Sequence, residues 1–184
     1  MRVVAFYTEN TEYEKEAEIW EESFKGCSTK VYSVPNQGSW EANCGLKPEI
    51  LLAALQETEN PVLYVDIDAR LCRPLEPISR PDLPGFCFLN QYKVPPFDRQ
   101  LASGTIYLPQ SVISYKIVLE WIALQKKNPT VWDQVTLQHV VESDKYEYQI
   151  LPPEWLGVDK HAELENPIIF HTQASRRLKS TVNE

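Results

Sequence analysis

Two aspartates separated by one residue, Asp66 and Asp68, have the type and spacing of a divalent-cation site. They follow the apolar run 62–65, and Asn60-Pro61 before that run cannot continue a helix, so the run is predicted to be a buried strand that ends at the carboxylates. Alternation along a strand would place both side chains on one side, about 7 Å apart at Cα. Negative charges this close repel each other, and Mg2+ or Mn2+ would allow both to stay ionised. The alternative is a solvated turn in which the aspartates only end the strand.

A histidine follows a second apolar run near the end of the sequence. His171 comes after residues 167–170, and is predicted to lie where that strand reaches the rim of the sheet. Histidine is a frequent metal ligand, so His171 is the candidate third ligand. The cations that follow it, Arg176, Arg177 and Lys179, are candidate phosphate contacts in a chain of net charge -8. The alternative is a solvated basic tail.

Asp133 and Gln134 occupy the first turn of a predicted helix. Asp133 is either a residue that complements the helix dipole or a carboxylate that faces a substrate, in which case it is the first candidate for a general base. Three tryptophans, Trp40, Trp132 and Trp155, fall in predicted loops or at element starts. There an indole covers the core or forms a platform for a sugar or a base.

Strands and helices alternate in the segment that leads to the aspartates. Strands are predicted over 2–7, 29–34 and 62–65, with helices starting near Thr11 and at Lys47-Pro48, while residues 36–45 are predicted to be a loop. This βαβ pattern indicates a Rossmann-type half-domain with a parallel sheet. The segment has no G-x-G-x-x-G, which excludes a dinucleotide fingerprint of the usual kind.

Downstream of the aspartates the elements are shorter. A proline-dense connection over 73–84 precedes predicted strands at 85–89, 101–108, 146–151 and 167–170, and helices after Ser111 and over 130–141. The predicted fold is therefore α/β, a single domain with a Rossmann-like mixed sheet flanked by helices.

The composition is that of one ordinary globular domain: 184 residues, 43% hydrophobic and 24% charged. The net charge of -8 argues against a nucleic-acid partner bound through its phosphates. The four cysteines form no close pair, which is typical of small core residues. No apolar run has the length of a signal peptide core or a membrane span, so no transmembrane segment is expected and the default location is cytoplasmic.

Several of these motifs together carry a family resemblance. The segment 63–71 around Asp66 and Asp68 resembles the Asp-x-Asp segment of GT-A nucleotide-sugar glycosyltransferases. In chain order, residues 40–55 with Lys47 resemble the preceding helix of those enzymes, Ser103-Gly104 their Ser-Gly strand, Asp133-Gln134 their Asp-Gln helix start, and 151–155 with His171 their closing segment. The resemblance is strongest to the glycogenin and bacterial lipopolysaccharide galactosyltransferase group.

The resemblance implies a compact GT-A domain over 1–184, with a nucleotide-binding part over 1–72 and a donor-sugar and acceptor part over 73–184. It implies metal-dependent transfer of a hexosyl group from a nucleoside-diphosphate sugar to an unidentified glycan, lipid or protein hydroxyl, with retention of configuration. Asp66, Asp68 and His171 would hold Mn2+ or Mg2+, and Asp66 could instead contact the ribose. The implied substrate-binding residues are Tyr7, Thr8, Lys47, Asp66, Ser103, Gly104, Gln134, Trp155, Arg176 and Lys179.

Two other functions stay open. That group follows its histidine with Gly and then Lys-Pro-Trp, whereas residues 172–179 here read Thr-Gln-Ala-Ser-Arg-Arg-Leu-Lys, so the chain could be a sugar-nucleotide-binding module without turnover. A haloacid-dehalogenase-like phosphatase also places Asp-x-Asp after an apolar strand. Its motif lies on the first strand, however, whereas Asp66 follows the third predicted strand.

Overall fold

A six-stranded mixed sheet forms the centre of the computed structural model, which describes residues 1–89, 92, 94–158 and 166–174. The strands of the described chain are β1 (Arg2–Thr8), β2 (Thr29–Val34), β3 (Val62–Val65), β4 (Ala69–Leu71), β5 (Gly85–Leu89), β6 (Gln100–Leu108), β7 (Gln149–Ile150), β8 (Gly157–Val158) and β9 (Ile169–His171). The main sheet has the order β2-β1-β3-β6-β5-β7, and a small sheet has the order β4-β9-β8.

The helices lie on both faces of the main sheet. They are α1 (Tyr13–Ser23), α2 (Trp40–Cys44), α3 (Lys47–Gln56), α4 (Val112–Lys127) and α5 (Asp133–Val141), with a 3-10 turn at Pro153–Trp155. Among the residues that the structure describes, no helix combines the length and apolar character needed to cross a membrane.

Alternation along β1 and β3 divides the core between the two faces. Val3 and Leu63 pack on one face with Trp20 of α1, while Val4 and Tyr64 pack on the other with the helices α3, α4 and α5. All four residues of β3 are buried, which explains why its sequence is a continuous apolar run. The strand can end only where the polar residues begin, so Asp66 lies at its carboxyl end.

The direction of the strands changes in the middle of the main sheet. β1 pairs in parallel with β2 and β3, as the βαβ pattern predicts. β6 then runs antiparallel to both β3 and β5, which makes the sheet mixed. The predicted α/β single domain with a mixed, helix-flanked sheet is confirmed.

Three local predictions differ from the structure. Residues 36–45 are not all loop, because Ser39 caps α2 by accepting a hydrogen bond from the Ala42 N–H (3.2 Å). The helix has no buried residue and therefore no apolar periodicity to reveal it. The strand predicted over 146–151 is reduced to Gln149–Ile150. Helix α1 begins at Tyr13, two positions after the predicted start near Thr11, and its N-cap residue Glu12 makes no side-chain capping hydrogen bond.

Trp20 is expected to contribute much of the stability of the α1 face. It is fully buried and stacks on Phe24 with ring centroids 4.3 Å apart. Trp20→Ala should lower the free energy of unfolding by about 3–5 kcal/mol in urea denaturation, because it leaves a cavity. Ile19→Ala, at an exposed position of the same helix, is the matched control and should change it by less than about 0.5 kcal/mol. Equal losses in both variants would contradict this assignment.

Candidate active site

A cavity of about 480 Å³ opens where β1 and β3 end. Open α/β sheets usually bind ligands at the carboxyl ends of their parallel strands, and the cavity has the volume of a small-molecule site. The predicted site residues that line it are Tyr7, Thr8, Lys47, Asp66, Asp68, Ser103, Gly104, Asp133, Gln134 and His171. The structure thus brings together residues from β1, α3, β6, α5, β9 and the turn after β3.

Asp66, Asp68 and His171 form a triad whose ligand atoms all lie within 4.8 Å of one another. Strand alternation does not bring the two aspartates together, as the sequence suggested. β3 ends at Val65, and a turn follows in which the Ala69 N–H donates to the Asp66 carbonyl (2.9 Å). The turn places both carboxylates on the cavity.

Backbone contacts fix Asp68 and His171 relative to each other. β9 runs antiparallel to β4 with His171 opposite Ala69, and the Thr172 N–H donates to the Asp68 carbonyl (3.0 Å). One oxygen of the Asp68 carboxylate accepts a hydrogen bond from the Ala174 N–H (2.7 Å), and the other lies 4.0 Å from His171 Nδ1. Because Nε2 of His171 lies 3.0 Å from the Thr105 hydroxyl, its Nδ1 is the nitrogen that faces the carboxylates.

The charges within the triad act on one another. Burial lowers the pKa of His171 despite the attraction of both carboxylates, which favours the neutral imidazole that a metal requires. Burial, together with repulsion by Asp66, raises the pKa of Asp68. For Asp66, burial is outweighed by Lys47, by His171 and by the Tyr64 hydroxyl that donates to it (2.7 Å), and its pKa is lowered.

Gly104 leaves the space that the triad occupies. A Cβ at this position would lie 2.8 Å from His171 Cε1 and 3.0 Å from Asp66 Oδ2, so any side chain would displace both residues. Two carboxylates and one imidazole whose polar atoms lie within 4.8 Å of one another suit a divalent cation such as Mn2+ or Mg2+. The residues therefore fit the predicted cation.

Lys47 is a buried cation that joins two acidic residues. Its Nζ lies 3.1 Å from Asp66 Oδ1 and 3.0 Å from Asp133 Oδ2, and it also donates to the carbonyl and hydroxyl oxygens of Ser103 (3.2 and 3.1 Å). Burial alone would lower the pKa of Lys47, but attraction to Asp133 and Asp66 outweighs it and raises the pKa. We call these contacts the Lys47 bridge.

Asp133 is fully buried at the start of α5 and lines the cavity. Its Oδ2 accepts from Lys47 and from the Ser103 hydroxyl (2.9 Å), while its Oδ1 has no hydrogen-bond partner in the described part of the chain. Burial raises the pKa of Asp133, and repulsion by Asp66 adds to this effect against Lys47. The Gln134 carboxamide accepts from the Ser103 N–H (3.4 Å), which ties the helix start to β6.

Other predicted residues lie elsewhere. Trp155 is 2% exposed and packs in the core, because the 3-10 turn directs it inward beside Leu151 and Leu156, and it does not line the cavity. Arg176 and Lys179 lie outside the described residues.

Residues that the sequence analysis did not single out also line the cavity, among them Tyr13, Asn43, Cys44, Tyr64 and Tyr92. Tyr13 belongs to α1, and burial together with the nearby Asp68 raises the pKa of its phenol. The residue pattern predicted a loop over 36–45, and therefore did not place Asn43 and Cys44 on a helix that borders the cavity.

Comparison of sequences finds neither a matching family model nor a matching curated protein. Comparison of structures finds a glycosyltransferase involved in the glycosylation of the major capsid of PBCV-1, with a TM-score of 0.72, 15% identity and 97% of each chain covered. The chain has a glycosyltransferase fold. It also matches the glycosyltransferase GlyE of Streptococcus pneumoniae TIGR4, with a TM-score of 0.62 and 14% identity. That match covers 94% of this chain and 55% of the other protein. The first match shows that a solved glycosyltransferase structure is about as compact as this chain.

Removal of the lysine should expose the energetic role of the Lys47 bridge. Lys47→Met leaves Asp66 and Asp133 without their buried counter-charge, and should lower the free energy of unfolding by about 3–5 kcal/mol in urea denaturation. Lys126→Met is the control, because Lys126 forms an exposed ion pair with Glu49 (2.8 Å) that is worth less than about 1 kcal/mol. A Lys47→Met protein as stable as the wild type would contradict the prediction.

Proposed function

We propose that this chain is a metal-dependent glycosyltransferase of the GT-A type, which moves a hexosyl group from a nucleoside-diphosphate sugar to an acceptor hydroxyl. One observation carries the proposal. The Asp66–Asp68–His171 triad and the Lys47 bridge line a single cavity in a chain whose fold matches solved glycosyltransferases. A haloacid-dehalogenase-like phosphatase is not favoured, because Asp66 follows the third strand of the chain and the fold is that of glycosyltransferases.

The triad is the proposed cation site. Asp66, Asp68 and His171 would hold Mn2+ or Mg2+ through two carboxylates and the Nδ1 of the imidazole. When bound, the cation would neutralise negative charge that develops on the leaving diphosphate. Arg176 and Lys179, predicted to contact the same diphosphate, lie outside the described residues and remain sequence predictions.

The remaining cavity residues would position the donor. Tyr7 and Thr8, at the end of β1, are proposed to line the nucleotide pocket, and Ser103 and Gln134 to orient the donor sugar. The Lys47 bridge holds Ser103 in place, because the ammonium contacts both its carbonyl and its hydroxyl. A site fixed in this way needs little rearrangement when the substrate binds.

Asp133 is the proposed base for the acceptor. In the transfer, the acceptor oxygen forms a bond to the anomeric carbon, and the bond from that carbon to the diphosphate oxygen breaks, with its electron pair leaving on the diphosphate. The acceptor proton would pass to the carboxylate of Asp133, which lines the cavity and whose Oδ1 has no hydrogen-bond partner among the described residues. Its raised pKa makes this carboxylate a stronger base than an exposed aspartate. Retention of configuration is expected from the family resemblance.

Asp68 provides the direct test of the function. The wild-type protein, incubated with Mn2+ and a panel of sugar nucleotides, should release the nucleoside diphosphate of one of them, and calorimetry should show Mn2+-dependent binding of that diphosphate. Asp68→Asn should abolish both effects while far-UV circular dichroism stays unchanged, because it removes one charged ligand. Asp82→Asn, at an exposed aspartate, is the matched control and should leave both unchanged.

Two results would count against this function. Binding without release of nucleoside diphosphate from any donor would indicate a sugar-nucleotide-binding module. Mn2+-dependent binding that survives in Asp68→Asn would remove the triad as the cation site.

The Asp133→Asn variant tests the role of the proposed base independently of cation binding. The amide has nearly the same shape but cannot take a proton, so kcat of transfer should fall by about 10²–10⁴ while the affinity for the nucleoside diphosphate changes little. Steady-state kinetics and calorimetry on one protein preparation measure the two quantities. An equal loss in both would assign Asp133 a structural role.

A further inference from the structure

We propose that Trp40 and Trp132 form the acceptor subsite and that the acceptor is itself a sugar, whose C–H face packs against an indole. The two rings have centroids 5.4 Å apart and an interplanar angle of 49°, and both line the cavity. The proposal rests on the function proposed above and names the substrate class of the same site.

The exposed aromatic side chains are concentrated at this cavity. Among the described residues, the large apolar side chains that are exposed include only two aromatic ones, Trp132 (36%) and Tyr92 (41%), and both line the cavity. Exposed aliphatic residues such as Val112 and Leu119 lie away from it. An indole that remains exposed at a cavity is typical of a ligand contact, since a core residue would be covered.

Both tryptophans lie at helix starts, which fix their backbone. Trp40 begins α2, a helix with no buried residue, of which Trp40, Asn43 and Cys44 line the cavity. Helix α2 therefore contributes no buried residue to the core, and it borders the cavity instead. Trp132 precedes Asp133, and its carbonyl accepts the first hydrogen bonds of α5 from Val135 (3.0 Å) and Thr136 (3.4 Å). Preorganised aromatic residues lower the entropy cost of binding a ligand.

The order of contacts along the cavity assigns the indoles to the acceptor. Asp66 belongs to the triad and contacts Lys47, Lys47 contacts Asp133, and Trp132 is the next residue. Trp132 therefore adjoins the Asp133 end of the Lys47 bridge, and the Trp40 ring lies against that of Trp132. In the proposed transfer, the acceptor hydroxyl gives its proton to Asp133 and must lie beside that carboxylate. The indoles next to Asp133 are therefore assigned to the acceptor.

The polar groups around the indoles match a sugar better than an acyl chain. The carboxamides of Asn43, Gln100 and Gln134 line the same cavity, and such groups both donate and accept, as sugar hydroxyls require. The exposed Ile19, Val112, Leu119 and Ile150 are not part of its lining. A volume of about 480 Å³ suits small molecules.

Direct binding tests the proposal without relying on turnover. Saturation-transfer NMR on the wild-type protein, with Mg2+ and nucleoside diphosphate present, should show transfer to the ring protons of at least one member of a panel of mono- and disaccharides. Trp132→Ala should weaken that binding at least about tenfold, while calorimetry shows unchanged affinity for the nucleoside diphosphate. Trp132→Phe should restore most of the loss, because it keeps an aromatic face. Leu119→Ala, which removes an exposed side chain outside the cavity lining, is the control and should change neither affinity.

Transfer assays add a second readout. With the donor that the wild type hydrolyses, mass spectrometry should detect a product on a saccharide, and Trp40→Ala or Trp132→Ala should raise the acceptor KM at least about tenfold. Loss of nucleoside-diphosphate affinity in Trp132→Ala would assign the indoles to the nucleobase and overturn the proposal. So would binding of no saccharide, or transfer only to a serine-containing peptide or a long-chain alcohol. Absence of donor hydrolysis in the wild type would overturn the proposed function instead, while the NMR comparison still decides the saccharide subsite.

Discussion

The Lys47 ammonium is the interaction on which the arrangement of the cavity depends. It lies 4% exposed between Asp66 and Asp133 and bonds to Ser103 as well, so a single cation connects α3, the end of β3, β6 and the start of α5. A buried charge of this kind is tolerated only because its partners lie at hydrogen-bond distance on several sides. The ring of Tyr64, 5.0 Å from Nζ, adds a favourable aromatic face. The sheet determines where the backbones of the cavity residues lie, and the Lys47 bridge fixes the orientations of the side chains that it contacts.

The two aspartates are chemically different although one residue separates them. Asp66 has a cation, a histidine and a tyrosine hydroxyl beside it, which together lower its pKa. Among the described residues, the Asp68 carboxylate accepts a hydrogen bond from the Ala174 N–H and lies 4.0 Å from the imidazole, and burial and repulsion raise its pKa. In that part of the chain, Lys47 compensates the charge of Asp66, whereas no lysine or arginine is paired with Asp68.

The sequence predicted those parts of the structure that depend on patterns among neighbouring residues. β3 could be recognised because both of its faces are buried, and Asp66 at its end because a polar residue must follow. His171 was identified in the same way.

By contrast, contact between Lys47 and Asp133 depends on how α3 and α5 pack across β6, and no local sequence pattern predicts that packing. Helix α2 has no buried face to give it an apolar period, and the turn residues around Trp155 left open whether its indole covers the core or contacts a ligand. The turn that joins Asp66 to Asp68 was also not predicted. Their spacing led to the expectation that the two aspartates are close, but this expectation rested on alternation along a strand.

The contacts of Asp68 determine when the triad can form during folding. Its carbonyl and carboxylate bond to Thr172 and Ala174, which are 104 and 106 positions away in the sequence, whereas β1, β2 and β3 pair within the first 65 residues. Closing so long a loop costs entropy that must be recovered by the contacts made afterwards, and contacts of high sequence separation form late. The parallel half of the sheet can thus assemble before β9 arrives. On a ribosome, the two carboxylates would be synthesised about a hundred residues before the histidine that completes their site. The proposed cation could therefore bind fully only once β9 has docked, and it would not guide early folding.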